Sequence, residues 1–223
     1  ANLTEDELRE TAKAIAQAGG RVAYQVADVS READVARLLA ATEKQLGPVD
    51  ILVNNAGIYG PVRELHNIAP AEWDQVMAIN LRSAYLMMRA VLPEMLARER
   101  GVILNISTIS AKLAYPYDAP YAASKAGMLA LTRVAASEVA RAGIRVNALC
   151  PGPVAGTRLW AELGPQLAKK MGIGREQLEA QVLTSILQGR RQTPEEIAAA
   201  AVFLCSDDAS AITGQAVNVD GGS

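Results

Sequence analysis

Apolar runs of strand length alternate with longer helical stretches along this chain, and that alternation admits few folds. Residues 51–53, 102–106, 145–149 and 215–219 read as strands, and 21–27 alternates as a further short one. Over 4–18, Leu8, Ala12, Ile15 and Ala16 recur at helical spacing behind an acidic first turn, and Gly19-Gly20 stops the helix. Residues 30–46 form a second helix with Ser30 as its expected cap, and 71–97 is a long helical stretch. Residues 121–142 are alanine-rich and helical, 151–191 are irregular with helical pieces, and 194–204 form a helix opened by Thr193 and Pro194. Strands that alternate with such helices build a parallel sheet covered on both faces through right-handed crossovers. The expected fold is an α/β, doubly wound parallel sheet, in one domain over residues 1–223. Its chemistry should lie on the segments that leave the carboxyl ends of the strands, at 28–29, 54–57, 105–110 and 151–157.

Composition narrows the function classes. The chain is 50% hydrophobic and 21% charged with a formal net charge of -2, so no basic excess invites nucleic acid. Its apolar stretches are short and interrupted, and residues 1–10 are acidic rather than signal-like, so no membrane partner is expected and the location reads as cytoplasmic. Cys150 and Cys205 lie far apart without CxxC spacing, which fits reduced thiols rather than a disulfide framework or a metal site.

The sharpest chemical pattern is Tyr121-Ala122-Ala123-Ser124-Lys125. Tyr121 and Lys125 are four apart at the start of a helix, so both side chains project from one face. A free tyrosine titrates near pH 10, too high for efficient proton exchange at neutrality, and a nearby cation favours the phenolate. Lys125 is therefore expected to lower the pKa of Tyr121 and make it a usable general acid or base. An isolated YxxxK is more often an ordinary exposed pair on a helix, so its company decides.

That company is Asp28-Val29, Asn54-Asn55-Ala56-Gly57, Asn80 within a helix, Asn105-Ile106-Ser107-Thr108, Pro151-Gly152 and Asn218-Val219-Asp220-Gly221-Gly222. In this order, on these elements, the motifs resemble the short-chain dehydrogenase/reductase family over essentially the whole chain. The resemblance implies a Rossmann-like fold, NAD or NADP as cofactor, and a small-molecule substrate. It implies that Tyr121 exchanges a proton with the substrate oxygen, that Lys125 also holds the nicotinamide ribose, and that Asn80 steadies a water-mediated proton relay. Thr108 occupies the position of the family's usual serine and still supplies a hydroxyl, with Ser110 as the alternative. For the cofactor, the resemblance implies Asp28 at the adenine amino group with Val29 flanking it, and Asn54, Ala56 and Gly57 near the adenosine side. Pro151, Gly152 and Val154 would line the nicotinamide, and Thr157 would touch carboxamide or pyrophosphate from one residue beyond the usual spacing. A homodimer or homotetramer is implied too, and Ala126, Ala130 and Ala136 would permit close helix approach.

One family segment does not occur in these 223 residues: there is no TGxxxGxG, the loop whose amides approach a pyrophosphate at a helix N-terminus. The sheet is thus expected to lack the first strand, the glycine loop and most of the second strand, with Ala1-Asn2-Leu3 ending that second strand and Asn2 where an acid usually selects NAD. In the family's strand order this leaves a gap of roughly 14 Å between 21–27 and 51–53 at about 4.8 Å per strand step. Either 21–27 migrates to pair with 51–53, another chain fills the gap, or these residues belong to a longer polypeptide, the expectation favoured here.

Activity is expected to be interconversion of a secondary alcohol and a ketone. Trp160-Ala161-Glu162 opens a substrate-lid segment over about 157–191 and resembles acetoin and butanediol reductases, which points to small polyols or hydroxyketones. A 3-oxoacyl thioester is the alternative substrate, and a truncated, non-catalytic oligomerising or binding module is the alternative function. The one histidine, His66, reads as solvent-exposed and Trp73 as core.

Overall fold

The computed structural model describes residues 4–113 and 115–223. Its sheet has four parallel strands, β1 (Ile51–Asn54), β2 (Gly101–Ile106), β3 (Ile144–Pro151) and β4 (Ala216–Val219), in spatial order β1-β2-β3-β4. Register pairs Asn54 with Asn105, Ile106 with Leu149, and Pro151 with Val219, so the carboxyl ends of all four strands open on one side.

Eight α-helices occur among the described residues: α1 (Glu5–Gln17), α2 (Glu32–Leu46), α3 (Pro70–Met77), α4 (Ser83–Ala97), α5 (Ala119–Val139), α6 (Arg158–Met171), α7 (Arg175–Thr184) and α8 (Pro194–Cys205). Strand neighbours point to opposite faces, and Ile103 and Leu104 divide the core accordingly. Ile103, with Leu52, Ile144 and Val146, packs against Met88, Val91 and Met95 of α4 and Ala135, Ala136 and Val139 of α5. Leu104 joins Leu149, Leu204 and the half-buried Ile197 and Ala201 of α8 on the other face. Covering both faces explains why the strands read as nearly continuous apolar runs.

Five expectations need correction. Residues 21–27 form no strand: only Val26 makes an isolated bridge, and Tyr24 and Val26 are each 44% exposed. Among the described residues β1 pairs with β2 alone, and its Ile51 and Val53 are each 48% exposed, so 21–27 has not migrated to that edge. Among the described residues the run has no ladder partner, and a strand cannot satisfy its backbone alone, whatever its alternation. Ser30 does not cap α2: the N-cap is Arg31, and the Ser30 hydroxyl donates instead to Asp28 Oδ1 at 2.6 Å. The 71–97 stretch is two helices joined by a π-helical turn, Ala78–Arg82. Trp73 is half-buried rather than core, whereas His66 is exposed as expected. The 151–191 segment is more regular than it reads, because Thr157 caps α6 by accepting from the Trp160 amide. Thr193 caps α8 as expected, with Pro194 in the first turn. The readings of Ala1-Asn2-Leu3 as a strand end and of Asn2 at the cofactor-selecting position lie outside the described residues.

Candidate active site

The site is assembled where β2 and β3 end and α5 begins. After β2 the chain runs through Ser107 and Thr108, both buried, into a short turn at Ile109–Ala111. The Ser107 hydroxyl donates to the Lys125 carbonyl at 3.0 Å, which fixes α5 against the strand exit. That leaves Thr108 facing the first turn of α5, where its hydroxyl accepts from the Ser110 amide at 3.3 Å and favours the ionised form of the Tyr121 phenol. Ser110, the alternative, acts on the Asp118 carboxylate instead, favouring its charged form.

Lys125 is buried, and its ammonium donates to the Ile106 carbonyl at 2.7 Å while lying 5.9 Å from the centre of the Tyr121 ring. Burial pulls its pKa down to about 8. The expected coupling takes a different form here, because the Tyr121 phenol is not lowered: burial pushes it up to about 12, the Thr108 hydroxyl opposes that, and Asp118 adds to it. Lys125 is turned toward a backbone carbonyl, and the low-dielectric surroundings that weaken its own charge also disfavour a phenolate.

Asn80 is completely buried in the π-helical turn. Its amide accepts from Ile58 N at 2.8 Å and donates to the Ile58 carbonyl at 2.9 Å and to Ser124 Oγ at 3.0 Å. Ser124 in turn donates to the Tyr121 carbonyl at 2.7 Å. Asn80 thus ties the segment after β1 to the first turn of α5, and helical bulges of this kind often re-aim a functional side chain.

The remaining predicted residues divide. Asn54 Nδ2 donates to Asn105 Oδ1 at 2.8 Å, and Asn105 passes a bond to Thr132 Oγ1 at 2.9 Å, so Asn54 ties β1 to β2 and, through Asn105, to α5. Ala56 and Gly57 are exposed just beyond it. At Gly57 an added Cβ would stand 3.3 Å from Asn80 Oδ1 and 3.4 Å from Lys125 Nζ, which places this backbone directly over those two side chains. Gly152 is equally confined: a Cβ there would stand 2.8 Å from Asp220 Cα. Val154 bridges to Gln192, and Pro151 ends β3. Asp28 is engaged locally, accepting from the Ser30 amide and hydroxyl ahead of α2, next to Val29. The hydroxyl of Thr157 is also locally engaged, donating to the Val154 carbonyl at 3.3 Å and accepting as the cap of α6.

Three residues of this site escaped the sequence reading. Tyr59 lies 4.8 Å from Tyr121, ring centre to ring centre, tilted 31°, and burial followed by the Asp118 charge pushes its phenol up. Asp118 is 3% exposed. Ser124 carries the Asn80 bond, and its place inside YxxxK was the available signal.

The donor set fits the nicotinamide-ribose end of a dinucleotide. Lys125 spends one donor on Ile106 and has two more for ribose hydroxyls, and the missing Gly57 side chain keeps the approach open. Among the described residues no helix is long and apolar enough to cross a membrane.

A family model described as enoyl-(acyl carrier protein) reductase matches residues 1–223. The chain is 40% identical over 210 residues to the inactive 2-(S)-hydroxypropyl-CoM dehydrogenase 2 of Xanthobacter autotrophicus, covering 94% of this chain and 88% of that one. It is 35% identical over 222 residues to a D-beta-hydroxybutyrate dehydrogenase of Rhizobium meliloti, covering 97% and 84%. Among solved structures, NAD+-bound xylitol dehydrogenase superposes with a TM-score of 0.92 at 26% identity, covering 99% of this chain and 86% of that one.

Proposed function

This chain belongs to the short-chain dehydrogenase/reductase family of NAD(P)-dependent alcohol/ketone oxidoreductases, and from that premise we propose that Tyr121, Lys125, Thr108 and Asn80 carry the reaction on a small polyol or hydroxyketone. When bound, NAD(P) supplies or accepts the hydride. In the reductive direction Tyr121 gives its phenolic proton to the substrate oxygen, and Thr108 donates a hydrogen bond to the same oxygen as negative charge develops. A phenol held up to about 12 stays protonated at neutral pH, which suits the acid role. Lys125 binds the ribose hydroxyls with its two free donors, and Asn80 holds the Ile58 backbone beside it.

Pro151, Gly152 and Val154 line the nicotinamide side in this reading, Asn54, Ala56 and Gly57 the adenosine side, and Asp28 with Val29 the adenine. Residues 157–191 form the substrate lid of a single domain over 1–223. The Arg191 guanidinium stacks 3.9 Å from the Trp160 ring and pairs with Glu179 at 2.7 Å, which supports α6 and α7 acting as one cover. Ala126 and Ala130, with Val134, leave an exposed stripe on α5 that suits a homodimer or homotetramer, whereas Ala136, expected with them, is buried in the core against the sheet and takes no part in it.

The observation that carries the proposal is the meeting of the Tyr121 phenol, the Thr108 hydroxyl and the buried Lys125 at the carboxyl edge of the sheet. The test is titration of the purified protein with NADH and NADPH by nicotinamide fluorescence, then initial rates of reduction of acetoin and an acetoacetyl thioester with NAD(P)H and of oxidation of xylitol with NAD(P)+. Saturable binding with turnover of acetoin or xylitol supports the reading. Turnover of the thioester alone overturns the substrate class, and saturable binding with no turnover overturns the proposed chemistry.

A further inference from the structure

Asp118 is a carboxylate without the partners such a group needs. It directly precedes α5 at the N-cap, where an aspartate ordinarily accepts from the free amides of the first turn. Its side chain makes no such bond; only its carbonyl is used, accepting from Ala122 N at 2.9 Å. The Ser110 hydroxyl and its own amide support the carboxylate, yet Oδ2 is buried with no hydrogen-bond partner among the described residues. Among the described residues no lysine or arginine pairs with it. The cations of this region face other partners: Lys125 the Ile106 carbonyl, Lys170 Glu64 at 2.8 Å, and Arg191 Glu179.

Its surroundings place the orphan oxygen beside the chemistry. Asp118 stands at the N-cap one turn before Tyr121, whose ring meets that of Tyr59 at 4.8 Å, and its charge raises the phenols of Tyr59, Tyr115 and Tyr121. Burial pushes its own pKa up to about 6, so above that value it is an ionised acceptor. A buried anion with a free lone pair is costly unless a donor arrives, and it repels another anion strongly in a low-dielectric site.

We propose that Asp118 is a specificity-determining residue, whose free Oδ2 accepts a hydrogen bond from a second, neutral hydroxyl of the substrate beside the carbon that meets Tyr121, and which rejects substrates carrying a carboxylate there. This rests on the alcohol/ketone reading of the site and adds the feature that separates a hydroxyketone from a plain ketone and from an oxo acid. A site built to bond a substrate hydroxyl discriminates against the analogue lacking it because the buried acceptor is left unpaired.

The test compares kcat/KM for acetoin, 2-butanone and acetoacetate at pH 7.5 in the wild type, Asp118→Ala and the isosteric Asp118→Asn. The wild type should favour acetoin over 2-butanone by roughly tenfold or more. In Asp118→Ala that ratio should fall to within about threefold of unity. In Asp118→Asn, which keeps the shape and loses the charge, acetoacetate should gain at least about fivefold relative to acetoin. A wild type that reduces the ketones with an acetoin to 2-butanone ratio unchanged in both variants overturns the role of Asp118. A wild type that binds NAD(P)H and reduces none of the three overturns the reading of the site beneath it.

Discussion

Replacing Asn80 with alanine tests how this site is held together. The Asn80 amide closes a two-way bond with the Ile58 backbone, at 2.8 and 2.9 Å, and a third with Ser124 at 3.0 Å, all from a side chain with no solvent access. Each bond contributes about 1 kcal/mol net, and a stranded polar group costs about 1–3 kcal/mol where water cannot reach it. Ile58 is half-buried, so part of that penalty is relieved by solvent, and the expected loss is about 2–4 kcal/mol. For a chain of this size each kcal/mol moves Tm by about 2–4 °C, so Asn80→Ala should melt roughly 5–15 °C lower by differential scanning calorimetry. Asn80→Asp separates the bonds from the packing. The introduced carboxyl keeps the acceptor for Ile58 N but turns a second oxygen on the Ile58 carbonyl, so it is tolerated best when protonated. The native pKa of that carboxyl is raised, so its destabilisation should shrink as pH falls from 7 toward 4, whereas that of Asn80→Ala should not. A Tm within about 2 °C of wild type for Asn80→Ala, or parallel pH profiles for the two variants, would refute the reasoning.

Thr108→Ser should retain most activity, because the hydroxyl that meets Tyr121 remains, whereas Thr108→Val should lower kcat by roughly 10²-fold in steady-state assays. Gly101→Ala should destabilise by about 1–3 kcal/mol in urea unfolding, since the new Cβ would lie 2.5 Å from the sulfur of the fully buried Met95. Asp118 has a native pKa of about 6 against 3.8, so the folded state favours the protonated acid and the stability tied to this group increases as pH falls through that window. Asp118→Asn should therefore be more stable than wild type above pH 6, by about 1–3 kcal/mol, with the difference gone below about pH 4; a difference that does not change with pH contradicts this.

Much of the fold was legible because strand burial leaves a plain mark. Ile103 and Leu104 serve opposite layers, so a run apolar at every position reads as a buried parallel strand. The YxxxK spacing likewise placed Tyr121 and Lys125 on one helical face before any coordinates. What failed was partnership. The alternation at 21–27 is genuine, but a strand exists only beside another strand, and no local pattern states which neighbours are present. The π-helical turn at Ala78–Arg82 was invisible because it depends on Asn80 reaching a loop 22 residues away. Asp118 and Tyr59 were missed for a similar reason: an aspartate before a helix looks like a cap, and only the fold shows that its side chain bonds none of the helix amides and that its Oδ2 is buried without a partner among the described residues. The sign of the Tyr121 shift was misjudged because spacing puts the cation near but says nothing about desolvation.

The most direct measurement of the central claim is the initial rate of acetoin reduction by Tyr121→Phe, with NAD(P)H binding and circular dichroism recorded on the same sample. The account predicts a folded protein that still binds the reduced cofactor and has lost at least about 10²-fold in kcat, the share a positioned proton donor contributes. A folded Tyr121→Phe protein turning over within about threefold of wild type would contradict it.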